Sequence, residues 1–469
     1  MEERPIAGLR TRSTRVRRLD RRHVSEVARG IAAHGFCVPV LITTDGEVID
    51  GDIRVVAART LHLQQIPCIV IDHLAASQVR TLRLAVNRLQ EKGEWDVEAL
   101  RLEFEALIDL DVELAITGFE AAEIDLILLD DVDEVEAALD PRANALADLS
   151  DQAVSRPDDL WQLGDHRLLC GDARDLAAYG LLLDGKVAHA LFTDPPYNVP
   201  IQGHVSGKGR QRHREFVMGS GELSAAQFET FLADFLSATG SVLAPGALAY
   251  VCMDWRHLRE LTAASSSAGY PQVNLCVWVK PNGAMGSLYR SQHELVAVYK
   301  HGAESHQNNV QLGKFGRNRT NVWNYAGANT LSPTRRADLA LHPTVKPVEL
   351  VADAILDATS TCQIVLDPFV GSGTSLIAAE RTRRVCAAIE LDPLYVDVAI
   401  RRWQDFTRQA AVHAESGRPF DELARERLAA DTDHVAASGN PESRRTDDAE
   451  ALETDRPDAL TSHVDSTEE

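Results

Sequence analysis

Asp194-Pro195-Pro196-Tyr197 closes the apolar run "VAHALFTD" with an acid, two prolines and an aromatic ring. Proline has no ladder donor and forces the residue before it into extended geometry, so a buried strand must end here. The Asp194 carboxylate and the Tyr197 ring are then held at the strand's carboxyl end, the edge where open parallel sheets bind ligands. A second segment, "IVLDPFVGSGTSLIAAE" (364–380), has the same design: an apolar strand ending at Asp367, a turn containing Gly371 and Gly373, and an amphipathic helix from about Thr374. Glycines in such a turn let the backbone approach a ligand closely.

The chemistry of that second site is narrowed by its neighbours. Thr374 stands where a phosphate-binding P-loop needs lysine, which disfavours a triphosphate. The next strand, "VCAAIELD", ends in Glu390, about twenty residues on, where an acid can accept from both hydroxyls of a ribose. A nucleoside cofactor without a phosphate requirement fits, and S-adenosylmethionine (AdoMet) has that description.

Asp194 to Tyr197, "HPTVKP" at 342–347 and "DPFVGSGT" at 367–374 follow one another in this order. On these motifs, residues 160 to about 405 resemble the amino-group DNA methyltransferases of the permuted β type. The resemblance implies transfer of a sulfonium methyl group to the exocyclic amine of a flipped-out base, with no covalent enzyme intermediate. Asp194, Pro195, Pro196 and Tyr197 would be the catalytic motif: the Asp194 carboxylate and Pro195 carbonyl accept from the amine, and the Tyr197 ring stacks on the base. Asp367, Phe369, Gly371, Gly373 and Thr374 would line the methionine and ribose part of AdoMet, with Glu390 on the ribose, Asp172 near the adenine and Asp194 at the methyl end. Thr344 and Lys346 would approach the methionine carboxylate. An acid before the prolines favours adenine-N6 as target; cytosine-N4, an RNA amine, and a ParB-like binding module with a degenerate methylase remain alternatives.

Two basic stretches stand out in an acidic chain. Residues 204–216 carry Lys208, Arg210, Arg212 and Arg214, and "GKFGRNRTNVWNYAGANTLSPTRR" carries Lys314, Arg317 and Arg319 among aromatics. Basic side chains there would hold DNA phosphates, although solvated loops would have the same composition.

The elements that must position these residues form an α/β sheet. Short apolar strands alternate with amphipathic helices from "LWQLGDHRLLCGDA" onward, with strands expected at "HRLLCGD", "VAHALFTD", "GALAYVCMD", "VNLCVWVK", "ELVAVYK", "IVLDPF" and "VCAAIELD". The resemblance to the permuted methyltransferases implies that the chain enters a Rossmann-like sheet at its third strand, "HRLLCGD". Before it, "HVSEVARGIAAHG" and "IRVVAARTLHL" read as helices, "VPVLITT" and "IPCIVID" as strands, and "DGEVIDGD" as a tight turn. A helical region from about 76 to 130 follows. With "AVNRLQEKGEWD" and "ITGFEAAEID", residues 15–125 resemble the ParB/sulfiredoxin-like domain. In that fold the turn Gly51-Asp52-Ile53-Arg54 can hold a phosphate or nucleotide; its acid and isoleucine speak against nucleotide hydrolysis, and the absence of cysteine speaks against sulfiredoxin activity. No helix-turn-helix is legible after residue 95, where the helices are acidic.

The expected organisation is therefore a small α+β ParB-like domain (1–130), a linker (131–157) with no buried face, a permuted Rossmann-like AdoMet-dependent methyltransferase domain (158–408) and a disordered acidic tail (409–469). The net charge of −22 excludes a uniformly basic DNA-coating protein but not a local basic groove. Seven scattered cysteines without C-x-x-C spacing suit reduced thiols and no metal site. No apolar run reaches membrane-spanning length. The expected setting is the cytoplasm, with double-stranded DNA as partner, no membrane, and a homodimer open as an assembly.

Overall fold

The computed structural model describes all residues except 12–19, 91–94, 130–142, 144, 146–151, 200–220, 284–287, 311–316, 318, 326–344 and 439–469. The amino-terminal part contains β1 (Glu2–Pro5), α1 (Arg21–His34), β2 (Val40–Thr43), β3 (Val48–Asp50), α2 (Asp52–Thr60) and β4 (Gln65–Ile71), followed by α3 (Ala76–Gln90), α4 (Val97–Asp109) and α5 (Ala121–Leu129). Its sheet runs β1-β4-β2-β3 around a core of Val40, Ile42, Val48, Val55, Ile66 and Cys68. The expected turn "DGEVIDGD" is shorter than read. Val48 and Ile49 are apolar and buried, and β3 pairs with β2 across a hairpin. Gly51, at φ +102°, caps α2, and the Arg54 guanidinium donates back to Asp50 at 2.6 Å.

Helices α4 and α5 enclose a small core of Phe104, Leu114, Ile124 and Leu128. They are tied to the next domain by an ion pair that excludes water. Arg384 donates to both oxygens of Asp125, at 2.6 and 2.9 Å, and to the carbonyls of Thr382 and Thr359 at 2.7 Å each. Arg384 is 2% exposed and Asp125 4%.

The second domain contains β5 (Leu160–Leu163), β6 (His166–Cys170), α6 (Leu176–Leu183), β7 (Ala188–Thr193), α7 (Ala225–Gly240), β8 (Leu243–Met253), α8 (Leu258–Ser267), β9 (Gln272–Val279), β10 (His293–Lys300) and β11 (Val322–Asn324). It continues with α9 (Val348–Ala358), β12 (Ile364–Asp367), α10 (Thr374–Arg381), β13 (Val385–Glu390), α11 (Pro393–Thr407), β14 (Val412–His413) and α12 (Phe420–Ser438). Its sheet order is β11-β9-β10-β8-β7-β12-β13-β6-β5-β14. Strands β8, β7, β12, β13 and β6 are parallel, as the permuted order requires. The period of two explains how the sheet is covered on both faces. Ala190 and Phe192 of β7 pack toward α9, α10 and α11, while Leu191 packs toward α6, α7 and α8.

Two expected boundaries change. The tail does not begin at 409: Ala411 and Phe420 are fully buried, Trp161 meets Phe420 edge-on at 5.2 Å, and α12 joins the second domain through an Arg427–Asp159 ion pair. An acidic helix with one apolar anchor per turn has too weak a pattern to read as folded. The remainder of the expected tail lies outside the described residues. The linker also has buried points among its described residues. Ala143 and Val154 are fully buried, and the amides of Val154 and Ser155 donate to Asp397 of α11 at 2.5 and 2.9 Å. Five cysteines are buried; Cys37 and Cys362 are exposed.

Candidate active site

Parallel pairing of β7 with β12 sets Val365 opposite Ala190 and Leu366 opposite Leu191, which brings the two motif-bearing strand ends side by side. Thr193 donates to Asp367 at 3.1 Å across this junction, and Ser375 donates to the other Asp367 oxygen at 2.6 Å. The cavity at this carboxyl edge is lined by Asp172, Asp194, Pro195, Pro196, Tyr197, Lys346, Asp367, Phe369, Gly371, Thr374 and Glu390. One cavity therefore gathers the residues of four separate strand ends.

Asp194 is engaged on both oxygens. Tyr197 donates its hydroxyl to Oδ1 at 2.6 Å, and Lys346 donates to Oδ2 at 2.5 Å. Burial raises the Asp194 pKa against the pull of Lys346. Burial also disfavours the charged Lys346 amine, but the Asp194 and Glu294 carboxylates outweigh it and hold the proton on. The Lys346 amine lies on Asp194 and on Glu294, 3.1 Å away, while the residue lines the same cavity as the glycine turn. A buried ammonium goes to the nearest buried carboxylates, because leaving any of the three unpaired would be costly.

The glycine turn is shaped for a ligand at one residue and for packing at another. Gly371 lines the cavity, and a side chain placed there would meet nothing within 4 Å. Gly373 does not line it; at φ +87° it caps α10, and a Cβ there would sit 3.0 Å from the Ala399 Cβ. Gly373→Ala should therefore destabilise the protein by about 1–3 kcal/mol through backbone strain and a clash with α11. Equilibrium urea unfolding checks this, and an unchanged midpoint would refute it.

Glu390 accepts from the amides of Gly371 and Asp392, each at 2.9 Å, and burial pushes its pKa up to about 7. Asp367 is likewise raised to about 7 by burial. Asp172 accepts from Arg174 at 2.6 Å, which lowers its pKa. The Arg174 guanidinium lies 5.9 Å from the ring centre of Phe231, which touches Phe369. The cavity residues not singled out from sequence include Phe231, Asp392 and Tyr395. Asn198 was also missed. It accepts from the amides of Gly221 and Leu223 and donates to the Leu223 carbonyl, pinning the chain on either side of 200–220.

The expected DNA contacts divide. Lys208, Arg210, Arg212, Arg214 and Lys314, and also Thr344 of the cofactor set, lie outside the described residues. Arg317 and Arg319 are half-buried and engaged by acids of α9. Arg317 donates to Asp357 at 2.7 Å; Arg319 lies 2.8 Å from Asp357, pairs with Asp353, and donates to Tyr325 at 2.8 Å. Asp357 is 7% exposed, so both guanidiniums neutralise a buried acid of α9. Arg317→Ala is expected to lower stability by about 1.5–3 kcal/mol while leaving the salt dependence of DNA binding unchanged. A shallower salt slope with wild-type stability would restore the DNA role.

Residues 188–401 match the DNA methylase family of N6/N4 type, and residues 98–157 match the ParB-methyltransferase HTH domain. The chain carries an N6/N4-type DNA methylase domain preceded by a ParB-methyltransferase HTH domain. Among its relatives, type II methyltransferase M.Cfr9I of Citrobacter freundii is 36% identical over 137 residues, which are 27% of this chain and 43% of the relative. M2.DpnII of Streptococcus pneumoniae is 27% identical over 45% of this chain and 81% of its own length. The chain thus spans under half of the first relative and most of the second. The crystal structure of M1.HpyAVI with SAM aligns over 50% of this chain and 97% of its own, at 18% identity and a TM-score of 0.37.

The match over 98–157 overturns the reading that no helix-turn-helix follows residue 95. The acidic surface of α4 and α5 hid the apolar positions of their small core. The cofactor of the methylase domain is AdoMet, and the cavity fits it: an open glycine backbone, a buried acid at the turn, and aromatic walls from Phe231, Phe369 and Tyr395.

Proposed function

We propose that this protein is an AdoMet-dependent methyltransferase that modifies the N6 amine of adenine at specific sites in double-stranded DNA. The observation that carries the reading is the Asp194 carboxylate at the end of β7, in one cavity with the Gly371 turn and Glu390. Bound AdoMet supplies an electrophilic methyl group on a sulfonium.

The chain's residues supply the rest. An exocyclic amine is a poor nucleophile because its lone pair is delocalised into the ring. Hydrogen bonds from its N–H groups to Asp194 and to the Pro195 carbonyl favour a more tetrahedral nitrogen, whose lone pair then points along the transfer direction. Tyr197, held by its hydroxyl on Asp194, offers a ring for the extruded base. The methylated nitrogen sheds a proton, which the Asp194 carboxylate that accepts its N–H is placed to receive. Glu390 keeps lone pairs free for the ribose hydroxyls, and those bonds would favour its ionised form.

The base assignment rests on the acid before the prolines, where the resembled cytosine-N4 enzymes more often carry serine. Nucleoside analysis of DNA modified by the protein tests it. N6-methyladenine is expected, and N4-methylcytosine would overturn the base while keeping the mechanism. The proposed setting is the cytoplasm, where the seven thiols stay reduced.

A further inference from the structure

Glu294 reaches the catalytic acid from β10, a strand that carries none of the motifs. One of its oxygens lies 3.1 Å from the Lys346 amine and 3.4 Å from the Tyr197 hydroxyl. Its other oxygen pairs with Lys280, at the end of β9, whose amine lies 4.7 Å from the centre of the Trp278 ring. Two carboxylates and two ammoniums thus alternate, Asp194–Lys346–Glu294–Lys280, and their charges cancel. Lys346 is 6% exposed, so it cannot exchange these partners for water.

This alternation matters for a carboxylate that must receive an amine. Left alone in the cavity, Asp194 would protonate and lose its value as an acceptor. Given an ammonium to itself in a low-dielectric site, it would be locked into that pair. We propose that Glu294 is a positioning residue of the methyl-transfer site: by sharing Lys346 with Asp194, it loosens that pair, so that the carboxylate Lys346 holds ionised stays open to the target amine. This rests on the methyltransferase reading and adds a residue to it.

The groups facing Asp194 are Tyr197 from its own loop, Lys346 from the segment before α9, Glu294 from β10, Cys252 from β8 and Asp367 from β12. Lys280 of β9 acts through Glu294. The signs follow. Glu294→Gln removes a negative charge beside Asp194, so the Asp194 pKa falls and the acid limb of kcat/KM moves to lower pH. Lys280→Met removes the positive charge that offsets Glu294, so that limb moves to higher pH. Neither residue lines the cofactor cavity, and AdoMet affinity should stay within about twofold of wild type.

The experiment is the pH profile of methyl transfer to unmethylated duplex DNA by the full-length wild type, Glu294→Gln and Lys280→Met, with AdoMet affinity measured by calorimetry. Opposite shifts of the acid limb are expected, with kcat of Glu294→Gln lowered about tenfold to a hundredfold as Lys346 closes on Asp194. Limbs that stay in place while thermal stability drops would make Glu294 merely structural and overturn the proposal. Loss of AdoMet binding in Glu294→Gln would overturn it too. If that variant does not fold, the Lys280→Met shift decides. A wild type that binds AdoMet but methylates nothing would instead refute the methyltransferase reading on which the proposal stands.

Discussion

Asp194→Ala is expected to reduce methyl transfer by about 10²–10³-fold, equivalent to about 3–4 kcal/mol of transition-state stabilisation, with AdoMet binding nearly unchanged. The substitution removes the acceptor proposed to orient the target amine and releases both the Tyr197 hydroxyl and the Lys346 ammonium from it. The cavity wall at Gly371, Glu390, Phe231 and Phe369, proposed to hold the cofactor, is untouched, so the loss should fall on kcat. Asp194→Asn keeps one acceptor oxygen but faces the Lys346 ammonium without a charge, and should lie between the two. Single-turnover kinetics with calorimetric AdoMet affinities check this. A variant retaining a third or more of wild-type kcat would remove Asp194 from the chemistry.

The second large effect concerns stability. Asp125→Ala leaves the Arg384 guanidinium buried without its carboxylate, and breaking such a pair costs about 3–5 kcal/mol. The neutral partners of Arg384, the Thr359 and Thr382 carbonyls and the Thr359 hydroxyl, remain but cannot replace the charge. The loss should appear first at the docked face, where Arg383 also pairs with Glu105 at 3.0 Å. Hydrogen exchange should therefore show α4 and α5 opening before the methylase sheet. Asp125→Ala combined with Arg384→Met should recover part of the loss, because no uncompensated charge is then buried. A stability change under about 1 kcal/mol in Asp125→Ala would contradict this docking.

Local pattern revealed what depends on local chain chemistry. The prolines after Asp194, the glycines after Asp367 and the period-two strands between them located the sheet, its permuted order and most of the cavity lining. Residues whose role depends on distant partners were misread or missed. The acidic partners of Lys346 were missed because they lie far away in sequence, just after β7 and on β10. Arg317 and Arg319 read as a DNA-binding cluster because nothing near them announces Asp353 and Asp357 of α9. Gly373 and Gly371 are two residues apart, yet only Gly371 opens to the cavity; the difference lies in Ala399 on α11. Composition also concealed Phe420 and α12 inside an acidic stretch.

The most direct measurement incubates the purified full-length protein with methyl-labelled AdoMet and unmethylated genomic duplex DNA, beside Asp194→Ala, and digests the DNA to nucleosides. The expected result is label in N6-methyladenine from the wild type and essentially none from Asp194→Ala. Label at carbon 5 of cytosine, or no label in DNA from a protein that still binds AdoMet, would contradict amino-group transfer at Asp194.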